Sequence, residues 1–245
     1  MKKNPIVIMA AMEVEADFLL KKLENVTCKD IDKYKFYEGT IEEYPVVICR
    51  CNVMSINASV ATYIAIKEYN PFAIISQGTA GALGKDIHKG DIVIGEKCIN
   101  ITSCKTPYRK EGEGSNSLDW NLVSFICGED DRLEYHYGDK NLIELSKTIN
   151  YSNRNIHLGT IGSGDVWNQE IDKLLWLNDK YDALCEDMES IAIYAVANNF
   201  NVPVLGIRVI SDNAILGEDY DRNLGLQSQK YTYDLVLKII SENKK

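Results

Sequence analysis

Three carboxylates stand at the edges of predicted elements. Glu13 follows a first apolar run, Glu189 opens a helix, and Asp212 ends the nearly continuous apolar segment 202–212, which also carries Arg208 and Ser211. In open α/β sheets, ligands bind beyond the carboxyl ends of the strands, so an acid at the last residue of a buried strand stands where chemistry can happen. Paired carboxylates can divide acid and base work when their surroundings push their pKa values apart. At each position a local role competes. Asp212 could cap a turn, Glu13 could stabilise a helix N-terminus, and Glu186 and Asp187 supply the same charge as Glu189 to the start of that helix.

Three predicted strands end in small or hydroxylated residues: 76–81 (Ser-Gln-Gly-Thr-Ala-Gly), 162–165 (Gly-Ser-Gly-Asp) and Ser211-Asp212. Such residues let backbone amides approach a ligand closely, and together they are expected to line one pocket. The turn Gly78-Thr79-Ala80-Gly81 alone is equally compatible with tight packing. It matches neither the dinucleotide fingerprint nor the P-loop, and Ser163 lacks the frame of a nucleophile elbow.

These residues need a scaffold. Apolar runs at 6–11, 44–51, 72–76, 156–161 and 202–210 predict strands, with further strands at 34–39, 91–96 and 98–102. Helical spacing marks 14–23, 55–68, 140–150, 169–177, 187–199 and 227–242. Alternation along the whole length predicts an α/β fold, a single domain over 1–245 with a mixed, mostly parallel central β-sheet flanked by helices. The polar stretch 103–137 carries Tyr108, Trp120, Phe125 and Tyr135, which argues for a structured excursion rather than a linker.

Composition narrows the partners. A net charge of −9 disfavours nucleic acid and anionic membranes, which demand clustered Lys and Arg, and points to a small molecule. Cys28, Cys49, Cys51, Cys98, Cys104, Cys127 and Cys185 form no CxxC pair, and His88, His136 and His157 have no ligand spacing, so no metal or other cofactor is expected. Neither a signal peptide nor a membrane span is recognisable, and a cytoplasmic location is expected.

The stretches Ala11-Met12-Glu13-Val14-Glu15, Gly78 to Gly81, Lys89-Gly-Asp-Ile-Val-Ile94, Ser163-Gly-Asp165, Asp187-Met188-Glu189 and Arg208-Val-Ile-Ser-Asp212, in this order and spacing, resemble the nucleoside phosphorylase superfamily. The likeness is greatest to the methylthioadenosine/S-adenosylhomocysteine nucleosidases, which cleave a purine N-glycosidic bond with water. The resemblance implies that Asp212, positioned by Ser211, protonates purine N7 and that Glu13 activates water at C1′. An ordinary Asp pKa of ~3.9 must then be raised by the pocket. It further implies that Glu189 holds the ribose hydroxyls and Met188 packs on the sugar, with Val53 and Thr79 on the ribose side beside Ala80 and Gly81. Val166, Trp167 and Asn168 would stack on the base and read its edge, Trp167 being equally compatible with a core role. Arg208 would orient Asp212 or Glu189.

Phosphorylases of the superfamily bind phosphate where this chain has Ser76 and the acidic Ala11-Met12-Glu13, so a water nucleophile is expected over phosphate. A phosphate-dependent phosphorylase, or a nucleoside-binding protein without turnover, is the alternative. The chain departs from the pattern at Asn52-Val53-Met54-Ser55, where the family has Gly-x-Gly-Lys, at Trp167-Asn168, where it has Phe-Ile, and in a longer segment 103–120. These departures leave the 5′ group and the purine C6 substituent open. A homodimer follows from the resemblance alone.

Overall fold

The computed structural model describes residues 3–124 and 132–244; Phe125 and Cys127 lie outside the described residues. The strands are β1 (Ile6–Ala10), β2 (Glu24–Ile31), β3 (Tyr34–Ile41), β4 (Tyr44–Arg50), β5 (Ala73–Ala82), β6 (Ile92–Asn100), β7 (Cys104–Lys105), β8 (Asn121–Leu122), β9 (His136–Tyr137), β10 (Ile156–Ser163), β11 (Ala183–Asp187) and β12 (Val204–Asp212). The helices are α1 (Asp17–Lys22), α2 (Ser55–Tyr69), α3 (Lys140–Lys147), α4 (Ile171–Tyr181), α5 (Ser190–Asn199) and α6 (Gly225–Glu242).

One mixed sheet runs β11-β10-β6-β12-β5-β1-β4-β3-β2. β4, β1, β5 and β12 are parallel, β6, β10 and β11 are parallel among themselves, and the two sets meet antiparallel at β12 and β6. β11 also pairs antiparallel with the end of β5 through Glu186 opposite Gly81, which closes β5, β12, β6, β10 and β11 into a ring. That closure brings the ends of β5, β11 and β12 to one place.

Alternation along the strands builds a core on each face. Val7, Met9, Val47 and Cys49 point towards α2 and α5, whereas Ile6, Ile8, Val46 and Ile48 pack with α1, α3 and α6. Each fully buried aliphatic side chain contributes roughly 1.5–3 kcal/mol, so these two layers fix the sheet that carries the site. Asp139 caps α3 by accepting from the Asn141 and Leu142 amides. α2 is capped across space: Asp165 accepts from the Ser55 amide at 2.7 Å and the Ser55 hydroxyl at 2.6 Å.

Several elements differ from the sequence expectation. β2 is added at the sheet edge, the short β7, β8 and β9 are added in the polar excursion, β6 is one strand where two short ones are expected, β5 continues through the glycine turn to Ala82, and the first helix begins only at Asp17. At 187, where a helix is expected, Glu186 and Asp187 end the added strand β11, and α5 begins at Ser190. The described part of the polar excursion packs on α4, with Lys180 donating to Asn121 and the Tyr181 hydroxyl accepting from the Leu122 amide.

Candidate active site

A cleft of about 400 Å³ opens where β5, β11 and β12 end. Thr79, Ala80 and Gly81 from β5 form its floor with Ser211 and Asp212 from β12. Met188 and Glu189 enter from the β11–α5 turn, Val53 from the loop before α2, and Val166 and Trp167 from the loop after β10. Tyr220 completes the mouth, its ring edge-on to Trp167 at 6.2 Å. Trp167 is 61% exposed, so it is a lip of the cleft and not core.

Asp212 has its Oδ1 2.6 Å from the Ser211 hydroxyl, which also lies 3.1 Å from the Ala80 carbonyl. Burial raises its pKa, with Ser211 and Lys89 opposing. A Cβ at Gly81 would come within 3.3 Å of Asp212 Oδ2, so the missing side chain leaves the carboxyl its place.

Glu13 is elsewhere. It sits on a short helical turn with its side chain 70% exposed, accepting from Arg50 at 3.3 Å. The carboxylate inside is Glu15, on the opposite side of the same turn and 3% exposed. Its Oε2 accepts from the Met12 amide at 3.1 Å, and its Oε1 accepts from the Thr79 amide at 3.0 Å. Burial raises its pKa against these two amides and the charge of Arg208. Gly78 makes room for it: a Cβ there would meet Glu15 Oε1 at 2.8 Å. The signal was present in the sequence, since Glu15 is four residues before Leu19 and shares the buried face with it.

Glu189 accepts from the Met54 amide at 2.8 Å. Its pKa is raised by burial and by Asp187. Arg208 is fully enclosed beneath the cleft. It donates to Asp187 at 2.5 Å, to the Ser76 carbonyl at 2.9 Å and to the Ser76 and Ser190 hydroxyls at 2.8 Å each. Its hydrogen-bonded carboxylate is therefore Asp187, not Asp212 or Glu189, because Asp187 ends β11 directly opposite the guanidinium. Arg208 reaches Glu189 and Glu15 by charge alone.

Asn168 does not line the cleft. It stands behind Glu186, which does, donating to Glu186 from its amide nitrogen at 3.1 Å and from its side chain at 2.5 Å. Glu186 is 8% exposed, and burial pushes its pKa up to about 7. Ser163 is buried and holds the Ile191 amide at 3.0 Å. Among the described residues no group of His, Cys, Asp and Glu could hold a metal ion.

Three carboxyl groups, those of Asp212, Glu15 and Glu189, thus line one cleft. A 5′-methylthioadenosine/S-adenosylhomocysteine nucleosidase of Halalkalibacterium halodurans is 30% identical over 84% of each chain. One from Bacillus licheniformis is 28% identical over 96% of this chain and 97% of the other. The crystal structure of the Streptococcus pneumoniae MTA/SAH nucleosidase with 8-aminoadenine superimposes with a TM-score of 0.76 at 25% identity, covering 95% of this chain and 98% of the other. Residues 5–240 match the phosphorylase superfamily, and the chain belongs to it, on the branch of the methylthioadenosine/S-adenosylhomocysteine nucleosidases.

Proposed function

We propose that the protein is a purine nucleosidase that hydrolyses the N-glycosidic bond of 5′-thio purine nucleosides, 5′-methylthioadenosine and S-adenosylhomocysteine being the substrates its relatives' names supply. The observation that carries this reading is the pair of carboxyl groups, the buried Glu15 and the partly buried Asp212, lining one cleft. Water attacks C1′ and gives one proton to Glu15 while the C1′–N9 bond breaks and Asp212 protonates N7 of the leaving base. The products are the free base and the thioribose, and solvent exchange returns both carboxyls to their starting states. Positive charge that builds on the ribose is met by Glu15 and Glu189, which act in a dry, fixed site. Glu189 accepts from the ribose hydroxyls, and Trp167 covers the base.

Water is favoured over phosphate by charge. Among the described residues lining the cleft and its floor, Arg208 is the one cation, and its donors are spent on Asp187, Ser76 and Ser190. A phosphate anion would face Glu15 and Glu189 with no free cation among these residues to offset them.

The reading takes residues 1–245 as one domain, supported by the single large sheet. It takes the protein as a cytoplasmic homodimer. The buried free thiols Cys49, Cys51, Cys98 and Cys185 support a reducing compartment. Ile56, Val60 and Tyr63 form an exposed apolar stripe on α2 beside Val53 and Met54, a face that a second copy would cover. Among the described residues no helix is long and apolar enough to cross a membrane.

The purified protein, given 5′-methylthioadenosine or S-adenosylhomocysteine with and without inorganic phosphate, should release adenine at the same rate in both. Absolute dependence on phosphate would overturn hydrolysis. Asp212→Asn should keep ligand binding and lose several orders of magnitude in turnover, and sedimentation should give a dimer.

A further inference from the structure

Glu186 is a charged side chain that the mechanism above does not use. It lines the cleft on the side of Asp212: both approach Gly81, where an added Cβ would lie 3.3 Å from Asp212 Oδ2 and 3.8 Å from Glu186 Cγ. If Asp212 meets purine N7, Glu186 faces the neighbouring edge of the six-membered ring. Its two oxygens are each fixed by a donor from Asn168, at 3.1 and 2.5 Å, so the carboxylate is oriented and presents its remaining lone pairs to the base. A structural task explains it poorly. The charge is removed from solvent without a cation among its hydrogen-bond partners.

An oriented carboxylate selects the edge it meets. Adenine presents its amine next to the bare N1 lone pair, so a carboxylate that accepts from the amine sets its other oxygen against N1. A 6-oxopurine carries hydrogen on N1, and guanine adds a second parallel N–H at position 2. A carboxylate set at positions 1 and 2, clear of the 6-oxygen, therefore meets hydrogen in these bases and the N1 lone pair in adenine. We propose that Glu186, held by Asn168, is a base-specificity residue that admits 6-oxopurine nucleosides, the 5′-thio counterparts of inosine and guanosine, as substrates of the same cleft. The proposal rests on the nucleosidase reading and extends its substrate class. The bond broken is again C1′–N9, with water adding across it.

The test pairs turnover with binding. For 5′-methylthioinosine and 5′-methylthioadenosine, kcat/KM is measured at pH 8 in the wild type, Glu186→Gln and Glu186→Val. Binding of hypoxanthine and adenine to the same proteins is measured by calorimetry. The wild type should cleave methylthioinosine with a kcat/KM at least comparable to that for methylthioadenosine. Both variants should shift the ratio at least tenfold towards the adenine nucleoside, and hypoxanthine affinity should fall in parallel. Two variants of different polarity guard against one that folds poorly. Cleavage of methylthioadenosine with no cleavage of methylthioinosine and no hypoxanthine binding overturns the proposal, as does a ratio that neither variant moves. If hypoxanthine binds through Glu186 but neither nucleoside is cleaved, the base-edge assignment stands and the hydrolase reading falls.

Discussion

The Thr79 backbone amide donates to Glu15 Oε1 at 3.0 Å, and the Thr79 hydroxyl lies 3.3 Å from the same oxygen. The β5 backbone therefore fixes the carboxylate that the first turn delivers, and the contact depends on the absence of a side chain at Gly78. Glu13, two residues earlier, faces solvent and Arg50. Glu15→Gln should lose roughly 10²–10⁴ in kcat, the usual worth of a general base, with a smaller change in KM. Glu13→Gln should stay within about threefold of wild type, since it removes an exposed ion pair worth ~0–1 kcal/mol and no part of the cleft. Steady-state rates of both variants with 5′-methylthioadenosine decide the matter; equal losses would return Glu13 to the mechanism.

How far the sequence revealed this depends on the kind of signal. β1, β4 and β12 are apolar runs buried on both faces, and α6 has a clean helical stripe, so hydrophobicity alone marks them. β2 is almost wholly exposed along Glu24–Ile31 and carries no apolar alternation. β11 is five residues ending in two acids, which read equally well as a helix start. The glycines of β5 look like a turn because sequence does not reveal that Gly78 and Gly81 are kept small by Glu15 and Asp212 approaching from other elements. The same limit applies to Glu13 and Glu15. Their spacing of two puts them on opposite sides of a tight turn, and only Leu19 in the following helix says which side is inside. Glu186 was visible only as a helix-start acid, because its partner Asn168 comes from another element.

Arg208 and Asp187 form a buried ion pair, each 2% exposed at the side chain. Burial works against the guanidinium charge, and Asp187 and Glu189 outweigh it. Removing one partner strands the other in a dry site, so Arg208→Met should cost about 3–5 kcal/mol, lowering Tm by roughly 6–20 °C for a chain of this size. The double variant Arg208→Met, Asp187→Leu should recover part of that loss, because the stranded charge is gone. Thermal and urea unfolding of the three proteins test this, and a double variant no better than the single would break the argument.

Met54 is held at φ +80° and ψ 157°, a region that side chains rarely adopt, while its amide donates to Glu189. Non-glycine residues there cost about 1–3 kcal/mol. Met54 is 48% exposed and loses little packing on truncation. Met54→Gly should therefore raise stability by about 1 kcal/mol after allowing for glycine's freedom in the unfolded chain. Asn52, at φ +63°, lies in the left-handed region that asparagine tolerates, so Asn52→Gly should be close to neutral. Urea midpoints separate the two; a destabilised Met54→Gly would show that the turn is not strained.

Base preference should change with pH through Glu186. Burial pushes its pKa up to about 7; Asn168 lowers it, while Asp212 from β12 and Asp187 from its own strand raise it. The sign follows from the direction. Below about pH 7 the carboxyl is protonated and can donate to the N1 lone pair of adenine, and above it the carboxylate accepts from N1–H of a 6-oxopurine. The ratio of kcat/KM for 5′-methylthioinosine to that for 5′-methylthioadenosine should therefore climb about tenfold or more between pH 6 and pH 8. Taking the ratio cancels the titrations of Glu15 and Asp212, which act on both substrates alike. In Glu186→Gln the amide does not titrate, so the ratio should be flat across the same range. A ratio that still climbs in Glu186→Gln would show that the titrating group is not Glu186 and would sink this prediction.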